Sequence, residues 1–112
     1  TTEEFDVGAY YDAANSKYTP PSGKYIFVCK AAINNGADGK SLLTSLYKNG
    51  VEVKRATAHM ASASDGNSGA MLSCIVDANG TDYFEMYFYA NVVSGTISGL
   101  TTSTFFSAAR LP

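Results

Sequence analysis

Apolar residues along this chain recur with the spacing of β-strands, and helical spacing is absent. β-Branched and aromatic runs alternate with clusters of Gly, Asn, Asp and Ser, a pattern typical of short strands joined by turns. Many short strands with such punctuation favour an antiparallel β-sandwich. The predicted strands are Tyr18–Thr19, Lys24–Ile33, Leu42–Lys48, Val51–Thr57, Ala70–Val76, Tyr83–Val92 and Thr104–Leu111, with a short extended piece at Glu4–Val7.

Turn residues separate these runs in two ways. Asn49-Gly50 and Asn79-Gly80 each lie between apolar runs, and Asn-Gly predicts a tight hairpin because both residues accept a positive φ. Longer polar links are expected at Asn34–Lys40, Ala61–Gly69 and Ser94–Ser103. Loops held by a rigid sandwich often carry recognition, so the second and third links are candidates for partner contact. Disordered connections are the alternative.

Two predicted strands, Lys24–Ile33 and Ala70–Val76, are apolar on both faces. A sandwich sheet normally buries one face and leaves the other in water, so a doubly apolar strand needs a second cover. With no predicted helix to provide it, the simplest cover is another subunit. The expected core residues are Tyr25, Phe27, Leu72, Phe84, Met86, Phe88 and Phe106. The residues expected at a subunit interface are Ile26, Val28, Met71, Ile75 and Ala109.

The predicted strand Tyr83–Val92 alternates instead. Its even-numbered residues can face the core, which turns an aromatic row outward: Tyr83, Tyr87 and Tyr89, with Glu85 among them. Such a row is a candidate for stacking on sugar rings, with Glu85 accepting hydrogen bonds from sugar hydroxyls. The alternative is that the tyrosines only cover the sheet and raise its strand propensity.

Composition narrows the function classes. A chain of 112 residues is long enough for one domain with one core. Charged residues make up 16% of the chain, below the average of about 25% for soluble proteins. The net charge is −2 with no basic run, which disfavours a nucleic-acid partner. No apolar run approaches the length of a membrane span, so membrane insertion is not expected.

Candidate reactive residues are few. His59 is the single histidine, and neither zinc-ligand spacing nor a nucleophile–histidine–carboxylate grouping surrounds it, so neither catalysis nor a cofactor is expected. Asp77, Asn79 and Asp82 gather oxygen atoms around a turn and are weak candidates for a calcium site, although their spacing does not fit a helix–loop–helix calcium motif. Cys29 and Cys74 are expected to be free buried thiols, with one cross-strand disulfide as the alternative.

A series of segments resembles the tumour-necrosis-factor-like jelly roll, in particular the globular heads of the complement first component. In this sequence the matching segments are Phe5-Asp6 with Tyr11-Asp12, Tyr18-Thr19-Pro20 with Gly23, Tyr25 and Phe27, Leu46–Gly50, Gly69–Leu72, Asp82–Phe84 and Phe106–Ala108. The segment Leu46–Gly50 is similar to the form found in bacteriophage and bacterial surface proteins. The resemblance implies a homotrimer whose inner sheets pack around a threefold axis.

Two features depart from that family. Most of the family's strand before Phe5 is missing, and Arg110 stands where its last strand is usually apolar. We therefore expect residues 1–112 to be a single jelly-roll domain that lacks the first strand and is excised from, or follows, a longer polypeptide.

The functional expectation is a non-enzymatic homotrimeric structural or attachment module on a virion surface or outside the cell. The resemblance points to a bacteriophage virion protein, such as a tail-fibre or spike tip or a capsid decoration, that displays loops to a host glycan, receptor or other partner. One alternative is a carbohydrate-binding module that uses the outward tyrosines. Another is a secreted trimeric receptor ligand.

Overall fold

The computed structural model describes residues 8–34, 41–59, 68–90, 96–97 and 104–112. Every regular element within these residues is a β-strand, as the sequence predicts. The elements are β1 (Tyr11–Asp12), β2 (Lys17–Tyr18), β3 (Gly23–Asn34), β4 (Ser41–Lys48), β5 (Val51–His59), β6 (Ser68–Ala78), β7 (Phe84–Ala90), β8 (Thr96–Ile97) and β9 (Phe105–Arg110).

The strands form two antiparallel sheets. The first, the β4 sheet, has the order β1-β2-β7-β4-β5. The second, the β3 sheet, has β3 at its centre, with β6 paired along one edge and both β9 and β8 along the other. The chain crosses between the sheets at β2–β3, β3–β4, β5–β6, β6–β7 and β7–β8, so strands that follow one another in sequence mostly do not pair.

The core lies between the sheets and is built on aromatic rings. Phe27 of β3 is fully buried, and its ring centroid lies 4.7 Å from that of Phe84 and 5.5 Å from that of Phe106. The predicted core is confirmed: Tyr25, Phe27, Leu72 and Phe84 are buried, while Met86, Phe88 and Phe106 pack against buried residues. The buried hydroxyl of Thr44 donates to the carbonyl oxygen of Ala70 at 2.7 Å, which joins β4 to β6 across the core.

The two Asn-Gly turns differ. Asn49-Gly50 closes a two-residue hairpin between β4 and β5 with φ values of 53° and 82°, as predicted. The hairpin predicted at Asn79-Gly80 is wrong, because β6 and β7 belong to different sheets. The Asn79 side chain instead accepts hydrogen bonds from the backbone amides of Thr81 and Asp82, which turns the chain from one sheet to the other.

Two short strands, β1 and β8, were not predicted from the sequence. β1 pairs Tyr11 with Tyr18, and β8 pairs Ile33 with Ile97 inside the stretch expected to be a polar link. A strand of two residues leaves too little sequence for an alternating pattern to be recognised. The predicted piece at Glu4–Val7 and most of the three long links lie outside the described residues.

Candidate functional site

The outward surface of the β3 sheet presents aliphatic side chains to solvent. Along β3 the odd-numbered residues, such as Phe27, point into the core, so Ile26 and Val28 point away from it. On β6, Leu72 is buried while Met71 and Ile75 are 62% and 59% exposed. The doubly apolar character predicted for both strands is therefore present in the fold. We call this surface the aliphatic face: Ile26, Val28, Met71, Ile75 and Ala109.

Strand register makes the aliphatic face continuous. Ile26 lies opposite Ile75 on one side and Ala109 on the other, so one row of apolar residues crosses three strands. The next row, Ser73, Val28 and Ser107, carries no charge. These two rows give an uncharged centre to which β6, β3 and β9 all contribute. All five residues expected at a subunit interface thus lie on one face.

Charged residues border this centre. Lys24 and Asp77 form an ion pair of 2.9 Å one row beyond Ile26 and Ile75, with both side chains well exposed. Lys30 lies in the row on the other side, between Met71 and Phe105. A centre without charges, crossed by one apolar row and bordered by a charged margin, is the layout of a protein–protein interface.

The outward surface of the β4 sheet has a different chemistry. Tyr87 and Tyr89 of β7 are 50% and 58% exposed, in the positions predicted for them. Tyr47 of β4 lies beside Tyr87, with ring centroids 4.6 Å apart and ring planes inclined at 56°. We call the surface formed by Tyr47, Tyr87 and Tyr89 the tyrosine face. Tyr83 immediately precedes β7, and the ammonium group of Lys17 lies 4.4 Å from the centre of its ring.

A groove of about 430 Å³ opens on the tyrosine face. Ser45 of β4 lies opposite Tyr87 on one side and Arg55 of β5 on the other. Its short side chain is buried, so it forms a low floor between two large residues. Tyr87 and Tyr89 line this groove, whereas Tyr83 and Glu85 do not.

Glu52 holds the polar side of the groove in place. Its carboxylate accepts a hydrogen bond of 2.7 Å from the Ser45 hydroxyl and bonds of 3.2 and 2.8 Å from the Arg55 guanidinium. These bonds, the one from Ser45 foremost, lower the pKa of Glu52. Sequence reasoning missed this group because β4 and β5 shift register between Leu46 and Tyr47, a bulge that simple alternation does not reveal.

The residues proposed for calcium engage other groups of the protein. Asp82 accepts hydrogen bonds from the Asn49 amide at 2.7 Å and the Asn79 backbone at 3.0 Å, and it pairs with Lys48 at 3.3 Å. The Asn49 bond is the main cause of the lowered pKa of Asp82. Asp77 pairs with Lys24. The three calcium candidates, Asp77, Asn79 and Asp82, line a shallow depression of about 680 Å³. Their contacts hold the β6–β7 connection against the β4–β5 turn.

The two cysteines are free, as predicted; Cys29 is buried, but the burial predicted for Cys74 is wrong, because its side chain is only half-buried. Cys29 lies opposite Leu72, and Cys74 lies opposite Phe27, so the thiols are on neighbouring strands but not directly opposite each other. Burial raises the pKa of Cys29 to about 12, and the nearby Cys74 adds to the rise. At neutral pH the Cys29 thiol is therefore protonated and a poor nucleophile.

Other reactive sites are sparse in the part of the chain that is described. His59 is the last residue of β5, and its side chain lies outside the described residues. Among the described residues, no three His, Cys, Asp or Glu side chains come together as metal ligands. No helix among them is long and apolar enough to cross a membrane.

Comparison with known proteins supports the fold. No protein-family model matches the sequence, and no curated protein is similar enough to count as a relative. Eighteen chains of solved structures are similar. One is the crystal structure of murine APRIL at pH 5.0, with a TM-score of 0.64 and 15% sequence identity over 86% of this chain and 73% of that chain. The likeness shows a tumour-necrosis-factor-like β-sandwich.

Proposed function

We propose that this chain is a non-enzymatic jelly-roll module that assembles into a homotrimer through the aliphatic face. The observation that carries the proposal is the exposure of Met71 and Ile75 on a strand whose other face is already core. Burying one such side chain contributes about 1.5–3 kcal/mol, so a protein gains stability by covering several of them at once.

The jelly-roll assignment has support in the strand order. Sequential strands cross repeatedly between the sheets, and β9 returns from the end of the chain to lie beside β3. The fold is similar to that of murine APRIL over most of both chains. In the family that this sequence resembles, inner sheets pack around a threefold axis, and the β3 sheet is the counterpart of that inner sheet.

A second copy of the chain is the occupant that best fits the aliphatic face. The central rows are uncharged, so identical faces meet without charge repulsion. The margin carries charges of both signs, Lys24 and Lys30 with Asp77, which can face one another across a symmetric contact. A stable interface would bury about 800 Å² per partner, and rows spanning three strands provide a continuous area for it.

Light scattering during size-exclusion chromatography tests the assembly. We expect the wild type to have about three times the chain mass of 11.8 kDa. Ile75→Asp places a charge on the aliphatic face and should give a monomer. Val51→Asp is the matched control, because Val51 is also exposed (65%) but lies on β5 of the other sheet. A monomeric wild type would refute the trimer, and equal masses for both variants would refute assembly through the aliphatic face.

The biological setting that we propose is a bacteriophage virion, with the trimer serving as an attachment or decoration part. Its support is the resemblance of the segment Leu46–Gly50 to the form found in phage and bacterial surface proteins. Mass spectrometry of purified phage particles from the source of this sequence tests it. The chain should be present in stoichiometric amounts, and its absence from the particles would leave the trimer without this role.

A secreted trimeric receptor ligand is the second candidate, and the tumour-necrosis-factor-like fold favours it. Such a ligand would present clefts between neighbouring subunits to a receptor. Secretion of the parent polypeptide by its own cells, together with saturable binding of the trimer to cells, would support this role over the virion role.

A further inference from the structure

We propose that the groove on the tyrosine face binds a neutral saccharide, with a pyranose ring stacked on the tyrosines and its hydroxyls bonded to Glu52 and Arg55. This site has a different position from the aliphatic face, because it lies on the outward surface of the other sheet. It is therefore open to solvent in a monomer and in a trimer alike.

The shape of the groove follows from the side chains around Ser45. Tyr47 precedes Tyr87 by one row, Leu43 and Tyr89 form the following row, and the small buried serine lies between them. Large residues around a small one make a concave site on the outward surface of the sheet. Its volume of about 430 Å³ falls within the range of small-molecule sites, which is about 300–1,000 Å³.

The aromatic side of the groove suits the C–H face of a sugar ring. Tyrosine rings carry partial negative charge on their faces, which attracts the polarised C–H groups on one side of a pyranose. Tyr87 and Tyr89 are half-exposed and follow each other on the same side of β7. The inclined rings of Tyr47 and Tyr87, with centroids 4.6 Å apart, form a bent rather than flat stacking surface.

The polar side of the groove suits hydroxyl groups. Glu52 accepts hydrogen bonds and Arg55 donates them, and the two are already held together by bonds of 3.2 and 2.8 Å. A sugar hydroxyl both donates and accepts, so one hydroxyl, or two neighbouring ones, can bond to both groups together. Because the ion pair is formed before binding, less side-chain entropy is lost when a ligand is bound.

The charge pattern disfavours phosphate-bearing ligands. A phosphate-bearing ligand would meet the carboxylates of Glu52 and of Glu85, whose oxygen lies 3.4 Å from the Tyr87 hydroxyl, while the guanidinium of Arg55 is already paired. An organic cation is the competing class, because it would stack on the tyrosines beside the carboxylates of Glu52 and Glu85. A neutral polyhydroxyl ligand meets no charge repulsion and, unlike a cation, can bond to both the acceptor Glu52 and the donor Arg55.

Saturation-transfer NMR with a panel of methyl glycosides tests the site. The panel contains methyl glucoside, galactoside, mannoside and N-acetylglucosaminide, and tetramethylammonium chloride serves as the cation probe. We expect at least one glycoside to receive saturation from the wild-type protein. Tyr87→Ala should weaken that binding by about tenfold, the equivalent of one lost aromatic contact. Arg55→Met should weaken it as well, since it removes the donor but keeps the aliphatic stem.

Tyr10→Ala is the matched control, because Tyr10 is a similarly exposed tyrosine that does not line the groove. It should bind the glycoside like the wild type, and amide spectra of all variants should confirm the fold. Binding to no glycoside, equal binding by all variants, or a preference for tetramethylammonium would each overturn the proposal. Light scattering on Tyr87→Ala separates the two proposals, since this variant should retain the mass of the wild type whether or not that mass is a trimer.

Discussion

The outward surfaces of the two sheets have similar exposure and opposite chemistry. On the β3 sheet, Met71 and Ile75 are 62% and 59% exposed, and on the β4 sheet Tyr87 and Tyr89 are 50% and 58% exposed. A tyrosine in water keeps its hydroxyl hydrogen-bonded while its ring covers the sheet. An isoleucine or methionine has no polar group to offer. Exposed fraction alone therefore does not identify an interface; the chemistry of the exposed side chains does.

The comparison also separates two kinds of association. The aliphatic face is continuous over three strands and uncharged at its centre, which suits another protein surface. The tyrosine face is concave around Ser45 and has a fixed ion pair at its edge, which suits a small ligand. One sandwich can thus use one sheet for assembly and the other for recognition.

The largest loss of stability is expected from a substitution in the core, which lies beneath both outward surfaces. Phe27→Ala removes a fully buried ring that contacts Phe84 and Phe106, and should lower the free energy of unfolding by about 3–5 kcal/mol. Urea unfolding followed by circular dichroism at fixed protein concentration measures it. Tyr89→Ala is the control and should change this free energy by less than about 0.5 kcal/mol. Equal losses would mean that Phe27 is not central to the core.

The aliphatic face should stabilise the protein only when copies meet. Met71→Gln keeps the length of the side chain but removes its apolar character, and should cost about 1.5–3 kcal/mol in the assembled state. The Tm of the wild type should rise with protein concentration, whereas the Tm of this variant should rise less. Val51→Thr, on the other sheet, should keep the wild-type dependence. A wild-type Tm independent of concentration would count against assembly.

A smaller loss of stability is expected from a substitution of Asn49, in the β4–β5 turn that supports the tyrosine face. Asn49 has a φ of 53°, donates to Asp82 and accepts from the backbone amide of Tyr83. Asn49→Ala should therefore lower the free energy of unfolding by about 1–2 kcal/mol. Asn15→Ala is the control, because the amide of Asn15 has a side-chain bond only to exposed Asp12. Equal stability of the two variants in urea would show that the Asn49 bonds contribute little.

The smallest change in stability is expected at low pH, from the carboxylate of Asp82. The folded-state pKa of Asp82 lies below its ordinary value of 3.8, mainly because of the bond from Asn49. Its contribution to stability is complete above pH 3.8 and is lost as the pH falls through the lower folded value, because the unfolded state binds the proton first. Between pH 5 and pH 2, the Tm of Asp82→Asn should fall less steeply than the Tm of the wild type. If the Tm of the variant fell as steeply as that of the wild type, other carboxylates would account for the loss of stability in acid.

Local sequence signals predicted much of the fold. Along Lys24–Ile33 and Ala70–Val76 the two-residue period of a strand divides the side chains into two apolar faces, and each predicted interface residue lies on the aliphatic face. Asn49-Gly50 formed the predicted hairpin, but Asn79-Gly80 did not, although both have the same two residues. The difference is tertiary, since β6 is already paired with β3 and β7 with β4.

The groove was only half predictable. Tyr87 and Tyr89 follow from alternation within one strand. Tyr47, Ser45 and the Glu52–Arg55 pair reach the groove only through pairing among β7, β4 and β5, and the register shift after Leu46 places Glu52 opposite Tyr47. A single sequence carries the period of each strand but not the register between strands, so sites built across strands are harder to predict than those along one.

The central claim, that the aliphatic face is covered by copies of this chain, is tested most directly at the side chains themselves. A soluble gadolinium chelate broadens the methyl resonances of solvent-exposed residues in NMR spectra. At a protein concentration where the wild type assembles, we expect the methyls of Met71 and Ile75 to be protected and those of Val51 to be broadened. Equal broadening at all three residues would show that the aliphatic face remains in water and would contradict the account.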